Sequence, residues 1–533
     1  MQKITKAIFS KRTLFLLCFL LLNVIELLRS GPSGDIWYVA NNCTGIVMMF
    51  IVFSGYKQKD FFTISNLIWS ILCVIFMVIL PFHHKKHMGE YLLWQVETAV
   101  MNIWWLFIVI KHLGYRILLK KDLHIKFNAL SLLWITMMLF MFFSKNENNL
   151  WPLWFLIMFS VFYLTPYSTE DRDSLWSGMV DGNIVGFFVL QIYAYYFRPY
   201  DTIRYSGYAG NSNVAALYYL IIYVMCLFKL HQLHQKKAKI GYKIFYLLGA
   251  GGMLSFQFLT IGRTAWILSI IVTLLYGILV IKKLWNQRWK QVIYKGVLIV
   301  AFMLLTFLPV FYTCRWLPTI TTHRTWYGSE YFDDSLVHYN DPPTSEKYTE
   351  LDELLEAALG RVVSTIFGAE NFNPFVLKIY AASTPVKVEL LEPDWLKDYS
   401  LRVRLTIWKA YLENLTWNGH LIDEGHFDIG DENYVSWHGQ NLWIHIIYYY
   451  GIPVGILLII ITILLLFNTY KKINLYNEKW YSIVPFFICI IFFGYGLMES
   501  VWDVGHLILF LIFFVHLPFV TDKSDKQKND KFI

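Results

Sequence analysis

The sequence predicts an all-α fold, a polytopic transmembrane helix bundle of about 12–14 spans. Of its 533 residues, 56% are hydrophobic and 16% are charged, whereas charged residues make up about a quarter of an average soluble domain. The mean hydropathy is +0.45. The aromatic fraction of 18% is typical of the Trp and Tyr belts at membrane interfaces. The predicted environment is therefore a lipid bilayer.

A membrane-crossing helix needs about 20 mostly apolar residues, and about fourteen segments meet that criterion. Almost nothing separates the segments 241–260 and 264–282, so a tight helical hairpin is predicted there. The candidate spans are 12–29, 36–55, 61–82, 90–111, 127–143, 149–166, 177–197, 213–230, 241–260, 264–282, 292–312, 441–468, 480–498 and 503–520.

The basic residues of the short loops predict the orientation, because such residues are enriched in cytoplasmic loops. Lysines and arginines among the first twelve residues place the N-terminus in the cytoplasm. Alternation from there assigns most basic loops to the cytoplasm, with Lys85 and Lys86 as exceptions. The net charge of +8 therefore reflects membrane orientation and predicts no nucleic-acid partner.

One polar stretch of roughly 125 residues, about Cys314 to Trp437, interrupts the spans and falls on the extracytoplasmic side. It divides the chain into N-terminal transmembrane helices, central transmembrane helices with outer arginine motifs, an extracytoplasmic loop domain, C-terminal transmembrane helices and a cytoplasmic tail. These parts cover residues 1–200, 201–312, 313–437, 438–520 and 521–533.

Two helices are predicted inside the polar stretch. Apolar residues recur with helical spacing from Leu351 to Leu359, and this amphipathic helix is predicted to end at Gly360. A second helical pattern covers Leu401 to Leu415, and Asn418-Gly419 is a plausible C-cap for it.

Two candidate site motifs precede the polar stretch. Arg204 begins RYSGYAGNSN, in which Asn211 or Asn213 is predicted to cap a helix whose N-terminus favours an anion. An ordinary capped turn is the alternative. Arg263 lies at the outer mouth of a span, where a guanidinium pairs, extends to the interface or serves a site.

Two further motifs follow. Arg404 lies in RLTIW, late in the polar stretch, and Arg402 could substitute for it; surface ion pairing is the alternative. His438 opens HGQN, where the chain re-enters the membrane, and could act as a general base near neutral pH. A structural role for His438 is the alternative, and His445 is a competing candidate.

The predicted topology places all four motifs on one side of the membrane. Three arginines and a helix N-terminus on that side suit a pyrophosphate group. Metal binding is not predicted. Asp171-Arg172-Asp173 has the spacing of a nucleotide-sugar metal site but falls in a predicted cytoplasmic loop, and the other acidic residues form no recognisable ligand frame. The chain has no P-loop, and the cysteines have no disulfide or zinc spacing.

These motifs resemble those of the O-antigen ligase and polymerase superfamily. The matching pieces are RYSGYAGNSN, LTIGRTAW, RLTIW and HGQNLWIHIIYYYGIPVG, in the family's order, over roughly half of the chain, Arg204 to Leu464. Two positions depart from the family pattern. Gly262 precedes Arg263 where the family often has Ser, and Gln440 stands where the family usually has His, with His438 two residues earlier.

The resemblance implies a GT-C-like, inverting, metal-independent glycosyltransferase without a cofactor. Its site would face outward from a bacterial cytoplasmic membrane. Arg263 and Arg404 would hold the donor's pyrophosphate, and His438 would take the acceptor's proton. Arg204, Asn213, Arg402 and Asn441 would bind substrate. The implied partners are a polyprenyl-diphosphate-linked oligosaccharide, an acceptor glycan, and chain-length regulator and flippase proteins.

Polymerase is preferred to ligase, although no residue separates the two. A flippase or exporter of lipid-linked oligosaccharide is a rival from another class. It would need a charged path through the bilayer, and charged residues near span centres are few, Glu97 being one. A non-catalytic assembly protein is a third possibility, and it would need neither His438 nor the arginines.

Overall fold

Helices make up most of the described chain, in agreement with the predicted fold class. The computed structural model describes residues 10–29, 63–87, 129–146, 169–198, 203–209, 211–283, 289–321, 344–367, 386–388, 399–421, 423–425, 427–429, 434–436, 439–473 and 483–501, with isolated positions between 47 and 119 and at 200 and 342.

The helices are numbered in chain order. The first eight are α1 Lys11–Arg29, α2 Ile64–His87, α3 Ala129–Phe142, α4 Thr169–Phe197, α5 Ser212–Gln235, α6 Ile240–Thr260, α7 Arg263–Lys283 and α8 Trp289–Thr321. The later ones are α9 Leu351–Phe367, α10 Tyr399–Glu413, α11 Leu442–Tyr450, α12 Ile452–Lys471 and α13 Val484–Gly496.

Five described helices are long and apolar enough to cross a membrane: Asp173–Tyr196 of α4, Ser212–Gln235, Arg263–Val280, Val292–Ile320 and Ile452–Lys471. Ile64–Phe76, Ala129–Phe142 and Val484–Gly496 are shorter apolar helices. The predicted spans 149–166 and 503–520 lie outside the described residues, as do most positions of 36–55 and 90–111. The total of 12–14 spans therefore stays a prediction.

The predicted hairpin is confirmed. Helix α6 ends at Thr260 and α7 begins at Arg263, with Ile261 in the left-handed conformation at φ +50°. This single left-handed residue reverses the chain direction, and it brings Arg263 to the same end of the bundle as the C-terminus of α6.

Helix α5 lies at the centre of the bundle, and α8 lies at its edge. The apolar window of α5 is 89% buried, whereas that of α8 is 17% buried and exposes its apolar side chains outward. A helix that is apolar on all sides needs protein or lipid around it. Other helices of the protein surround α5, whereas the apolar composition of α8 suits contact with lipid.

Helices α1 and α4 pack along a seam of three glycines. Gly178, Gly182 and Gly186 recur every fourth residue, and a Cβ on Gly182 would lie 2.5 Å from the carbonyl oxygen of Leu16. Small residues allow such close backbone contact between membrane helices. Gly178 meets Phe15 and Gly186 meets Asn23, so the two helices run parallel.

Polar contacts connect this seam to α5. Asn23 Nδ2 donates to Asn183 Oδ1 at 2.9 Å, and the Tyr218 hydroxyl donates to Asn23 Oδ1 at 2.6 Å. Asp181 accepts from both Arg12 and the buried Lys229, which lies near the C-terminus of α5. Charges inside an apolar bundle must be paired, and Asp181 neutralises part of this positive charge.

The predicted span 441–468 is wrong as one helix. The structure has two helices, α11 and α12, separated at Gly451 with φ +99°. A Cβ on Gly451 would collide with the carbonyl oxygen of Trp417, and one on Gly419 (φ +80°) would collide with that of Tyr449. Backbone from the polar stretch thus docks on the helix break, where Ile452 N donates to Thr416 O at 3.2 Å.

Three predictions for the polar regions are also corrected. Helix α9 forms as predicted but continues past Gly360 to Phe367, because the apolar pattern resumes at Val362. Helix α10 confirms the second pattern but ends at Glu413, so Gly419 does not cap it. Asp171-Arg172-Asp173 lies in the first turns of α4 and not in a loop.

A small sheet lies beside α10. Strands β1 Val386–Val388 and β2 Phe427–Ile429 are parallel, and β2 pairs antiparallel with β3 Tyr434–Ser436. Glu350, just before α9, accepts from the buried Arg315 of α8 at 2.8 Å. This ion pair attaches the start of α9 to the end of a candidate span.

The glycine seam gives a stability prediction. Gly182→Ala should lower the stability by about 1–3 kcal/mol, because the added methyl forces two backbones apart. Gly252→Ala on α6 is the matched control, since no atom lies within 4 Å of a Cβ there. Thermal unfolding in lipid nanodiscs measures both variants. Equal melting temperatures would contradict the seam.

Candidate anion-binding site

Three predicted arginines come from separate parts of the chain to one end of the bundle, called here the arginine end. Arg204 lies in the turn before α5, Arg263 is the first residue of α7, and Arg404 lies on α10. Arg204 Nε donates to the Thr260 carbonyl at 3.1 Å, and its Nη2 donates to Asn213 Oδ1 at 2.6 Å. These two bonds fix the guanidinium plane at the N-terminus of α5.

The charges of the three arginines act on one another. Burial lowers the pKa of Arg204 from its usual value, and the positive charges of Arg404 and Arg263 lower it further, whereas Tyr495 and Glu499 oppose the shift. An arginine keeps its proton at neutral pH. The arginine end therefore holds several positive charges in a partly desolvated place.

Glu499, just after α13, connects Arg404 with Asn213, the hydrogen-bond partner of Arg204. Its Oε1 accepts from Asn213 Nδ2 at 2.9 Å and from Arg404 Nη2 at 3.2 Å. Arg404 Nε also donates to Gln440 Oε1 at 3.1 Å. Only 16% of the Arg404 side chain and 11% of the Glu499 side chain are exposed. A continuous network thus runs through Arg204, Asn213, Glu499, Arg404 and Gln440.

Asparagines cap two of the helices that begin at the arginine end, α5 and α11. Asn211 Oδ1 accepts from Asn213 N at 2.9 Å, which leaves the side chain of Asn213 to the network. Asn441 Oδ1 accepts from Trp443 N at 3.0 Å and Ile444 N at 3.1 Å, and its Nδ2 donates to Leu497 O at 3.0 Å. The contacts of Asn441 are those of a helix cap, and its role in substrate binding stays a prediction.

Gln440 has an unusual backbone for a residue with a side chain, at φ +44°. A non-glycine residue in the left-handed region carries strain of order 1–3 kcal/mol. This conformation accompanies the bond that Arg404 Nε donates to the Gln440 side chain.

The remaining predicted residues have different outcomes. Arg402 precedes Arg404 by two residues on α10, and residues at that spacing do not share a helix face. His438 lies outside the described residues, so its predicted role stays a prediction. His445 is half-buried one turn into α11, with its ring centroid 4.7 Å from that of Tyr449.

Glu499 was missed by the sequence reasoning. The available signal was a carboxylate in the short link between the predicted spans 480–498 and 503–520, because charged residues beside apolar spans often serve sites. As for metals, the described part of the chain contains no group of three His, Cys, Asp or Glu side chains that could hold an ion.

The arginine end is far from the Lys229–Asp181 pair. Asn213 and Lys229 are both on α5, and sixteen residues of helix correspond to about 24 Å. Both ends of the central helix therefore carry polar side chains, and the turns between them are apolar apart from tyrosines such as Tyr218. No protein-family model, curated protein or solved structure matches the chain.

The N-cap gives a prediction for Asn441. Asn441→Ala should lower the stability by about 0.5–2 kcal/mol, because two backbone N–H groups lose their acceptor. Asn441→Ser keeps a capping oxygen but also loses the bond to Leu497, so the difference between the variants isolates the cap. Thermal unfolding in nanodiscs measures it. Equal destabilisation by Ala and Ser would show that the cap contributes nothing.

Proposed function

We propose that the chain is a membrane glycosyltransferase that polymerises or ligates polyprenyl-diphosphate-linked glycans. The observation that carries the proposal is the convergence of Arg204, Arg263 and Arg404 at one end of an apolar bundle. Like charges repel in a partly desolvated place. Binding of one anionic ligand by all three arginines would offset this repulsion and gives a physical reason for their convergence.

The charge of the cluster suits a diphosphate. Three arginines and one carboxylate sum to +3 − 1 = +2. A diphosphate that joins a sugar to a lipid is a diester, and it carries two negative charges. The N-terminus of α5, with its partial positive charge, adds to the attraction. Nucleic acids and other extended polyanions would need a longer basic surface.

The surface of α7 favours a lipid-linked donor. Arg263 begins this helix, and an apolar stripe follows on the same face, with Ile267, Ile270, Leu274 and Ile278 between 52% and 60% exposed. In the proposed complex, the diphosphate lies at Arg263 and the isoprenoid tail lies along the stripe. A soluble sugar nucleotide would make no use of this face.

The proposed reaction needs few protein groups. The acceptor hydroxyl attacks the anomeric carbon of the donor sugar, and the bond from that carbon to the diphosphate oxygen breaks. The electron pair stays on the diphosphate, where the arginines stabilise the developing charge. The acceptor proton passes to a base, for which His438 is the proposed residue. Inversion and an outward-facing site in a bacterial cytoplasmic membrane belong to the same proposal.

The arginines provide the first test. Arg404→Ala and Arg263→Ala should each lower polymer or ligated product at least tenfold, because a charge-assisted hydrogen bond contributes about 1.5–3 kcal/mol. Lys409→Ala, an exposed cation on α10, is the control. Complementation of a host that lacks the chain, with membrane levels checked by blotting, measures the effect. Normal product in both arginine variants would end the proposal.

A second test concerns cofactors. Purified protein in nanodiscs should transfer glycan from lipid-linked donor without ATP and in the presence of EDTA, because the arginines take the role that a metal has elsewhere. Inhibition by EDTA that magnesium reverses would contradict the metal-independent mechanism. Movement of the donor across the bilayer without any transfer would favour a flippase.

A further inference from the structure

The proposed function does not explain why the carboxylate of Glu499 lies in this site. The candidate anion-binding site contains a carboxylate that is bonded to an arginine proposed to bind the ligand. The carboxylate and a diphosphate would compete for the same N–H group of Arg404. The competing charge therefore weakens ligand binding.

Geometry alone does not require the charge. Both hydrogen bonds to Glu499 end on Oε1, and the amide oxygen of glutamine could accept the same two bonds. The same site contains an example, because Gln440 accepts from Arg404 Nε through its amide oxygen. A neutral side chain can thus hold this guanidinium, and the negative charge of Glu499 calls for another explanation.

The chemistry of the proposed reaction supplies one. The donor diphosphate is a diester, and cleavage converts it to a monoester that gains a further ionisable oxygen. An all-cationic site would therefore bind the product more tightly than the donor. Slow product release limits the turnover of many enzymes. A fixed carboxylate beside the arginines lowers the affinity for both anions and opposes this trapping.

We propose that Glu499 sets the affinity of the arginine end for diphosphate and allows the polyprenyl diphosphate product to leave. The inference rests on the proposed function. Glu499 acts through Arg404 and Asn213 and is therefore a positioning residue. Its charge weakens the hold on product, while its two hydrogen bonds keep the arginine and the asparagine in place.

The first measurement is binding of undecaprenyl diphosphate to the purified full-length chain in nanodiscs. Glu499→Gln should bind this probe roughly tenfold more tightly than the unmodified chain, because a negative charge close to the ligand is removed. Gln440→Glu adds a carboxylate next to the same arginine and should bind roughly tenfold more weakly. Glu413→Gln, an exposed carboxylate on α10, is the matched control and should leave binding unchanged.

The second measurement is steady-state transfer from lipid-linked glycan isolated from a host that lacks the chain. Glu499→Gln should lower both KM for the donor and kcat, and added undecaprenyl diphosphate should inhibit it at roughly tenfold lower concentration. A merely structural role would lower kcat without lowering KM. Glu499→Asp keeps the charge and should bind the probe within a few-fold of the unmodified chain.

The outcomes separate this inference from the proposed function. Weaker or unchanged binding by Glu499→Gln would overturn the inference, and so would unchanged binding by Gln440→Glu if the first variant does not fold. Failure of the unmodified chain to bind the probe or to transfer glycan would instead count against the proposed function itself.

Discussion

The hydrogen bonds of one carboxylate connect two of the parts of the chain that make up the arginine end. Asn213 at the start of α5 and Arg404 on α10 both donate to Glu499 Oε1. These two donors are 191 positions apart in the sequence. Gathering guanidinium groups at the end of an apolar bundle is unfavourable because each repels the others and loses water. Glu499 offsets part of that repulsion, and it also determines where two of the donors lie.

The central helix relates this network to the rest of the fold. Helix α5 is buried along nearly its whole length, and its amide and charged side chains lie near its ends, whereas Tyr218 between them donates to Asn23. Asn213 belongs to the arginine network, and Lys229 pairs with Asp181 of α4 at the other end. Because α4 is held parallel to α1 by the glycine seam, the arginine end depends on packing far from it. A substitution that separates α1 from α4 would therefore be expected to displace α5 and both of its polar ends.

Local composition was enough to predict much of the fold. Apolar runs of bilayer length identified α5, α6, α7 and α8, and the short link between the predicted spans 241–260 and 264–282 was enough to predict the hairpin of α6 and α7. Arg204, Arg263 and Arg404 were singled out because each stands at the edge of an apolar run or in a short motif. What was predicted is the identity of these residues; their roles are still proposals.

Several of the failures share a physical cause, which is contact between distant segments. The break at Gly451 has local signals in the glycine itself and in Pro453, but no local pattern shows the backbone at Trp417 that docks there. Glu499 is one acidic residue in a short link until Asn213 and Arg404 approach it. The glycines of α4 have a visible packing role only when α1, about 160 residues earlier in the chain, lies against them. Three-dimensional neighbours decide such roles, and a single sequence does not reveal them.

The two surfaces that meet at the arginine end suggest how the proposed reaction is arranged. Helix α7 presents an apolar face that leads to Arg263, so a lipid-linked donor would enter sideways from the bilayer. Helix α10 and the small sheet belong to the polar stretch, so an acceptor glycan would enter from the aqueous side. Glu499 contacts Asn213 of α5 and Arg404 of α10. The charge that would govern release of the lipid product is thus bonded to an arginine of the helix on the proposed acceptor side.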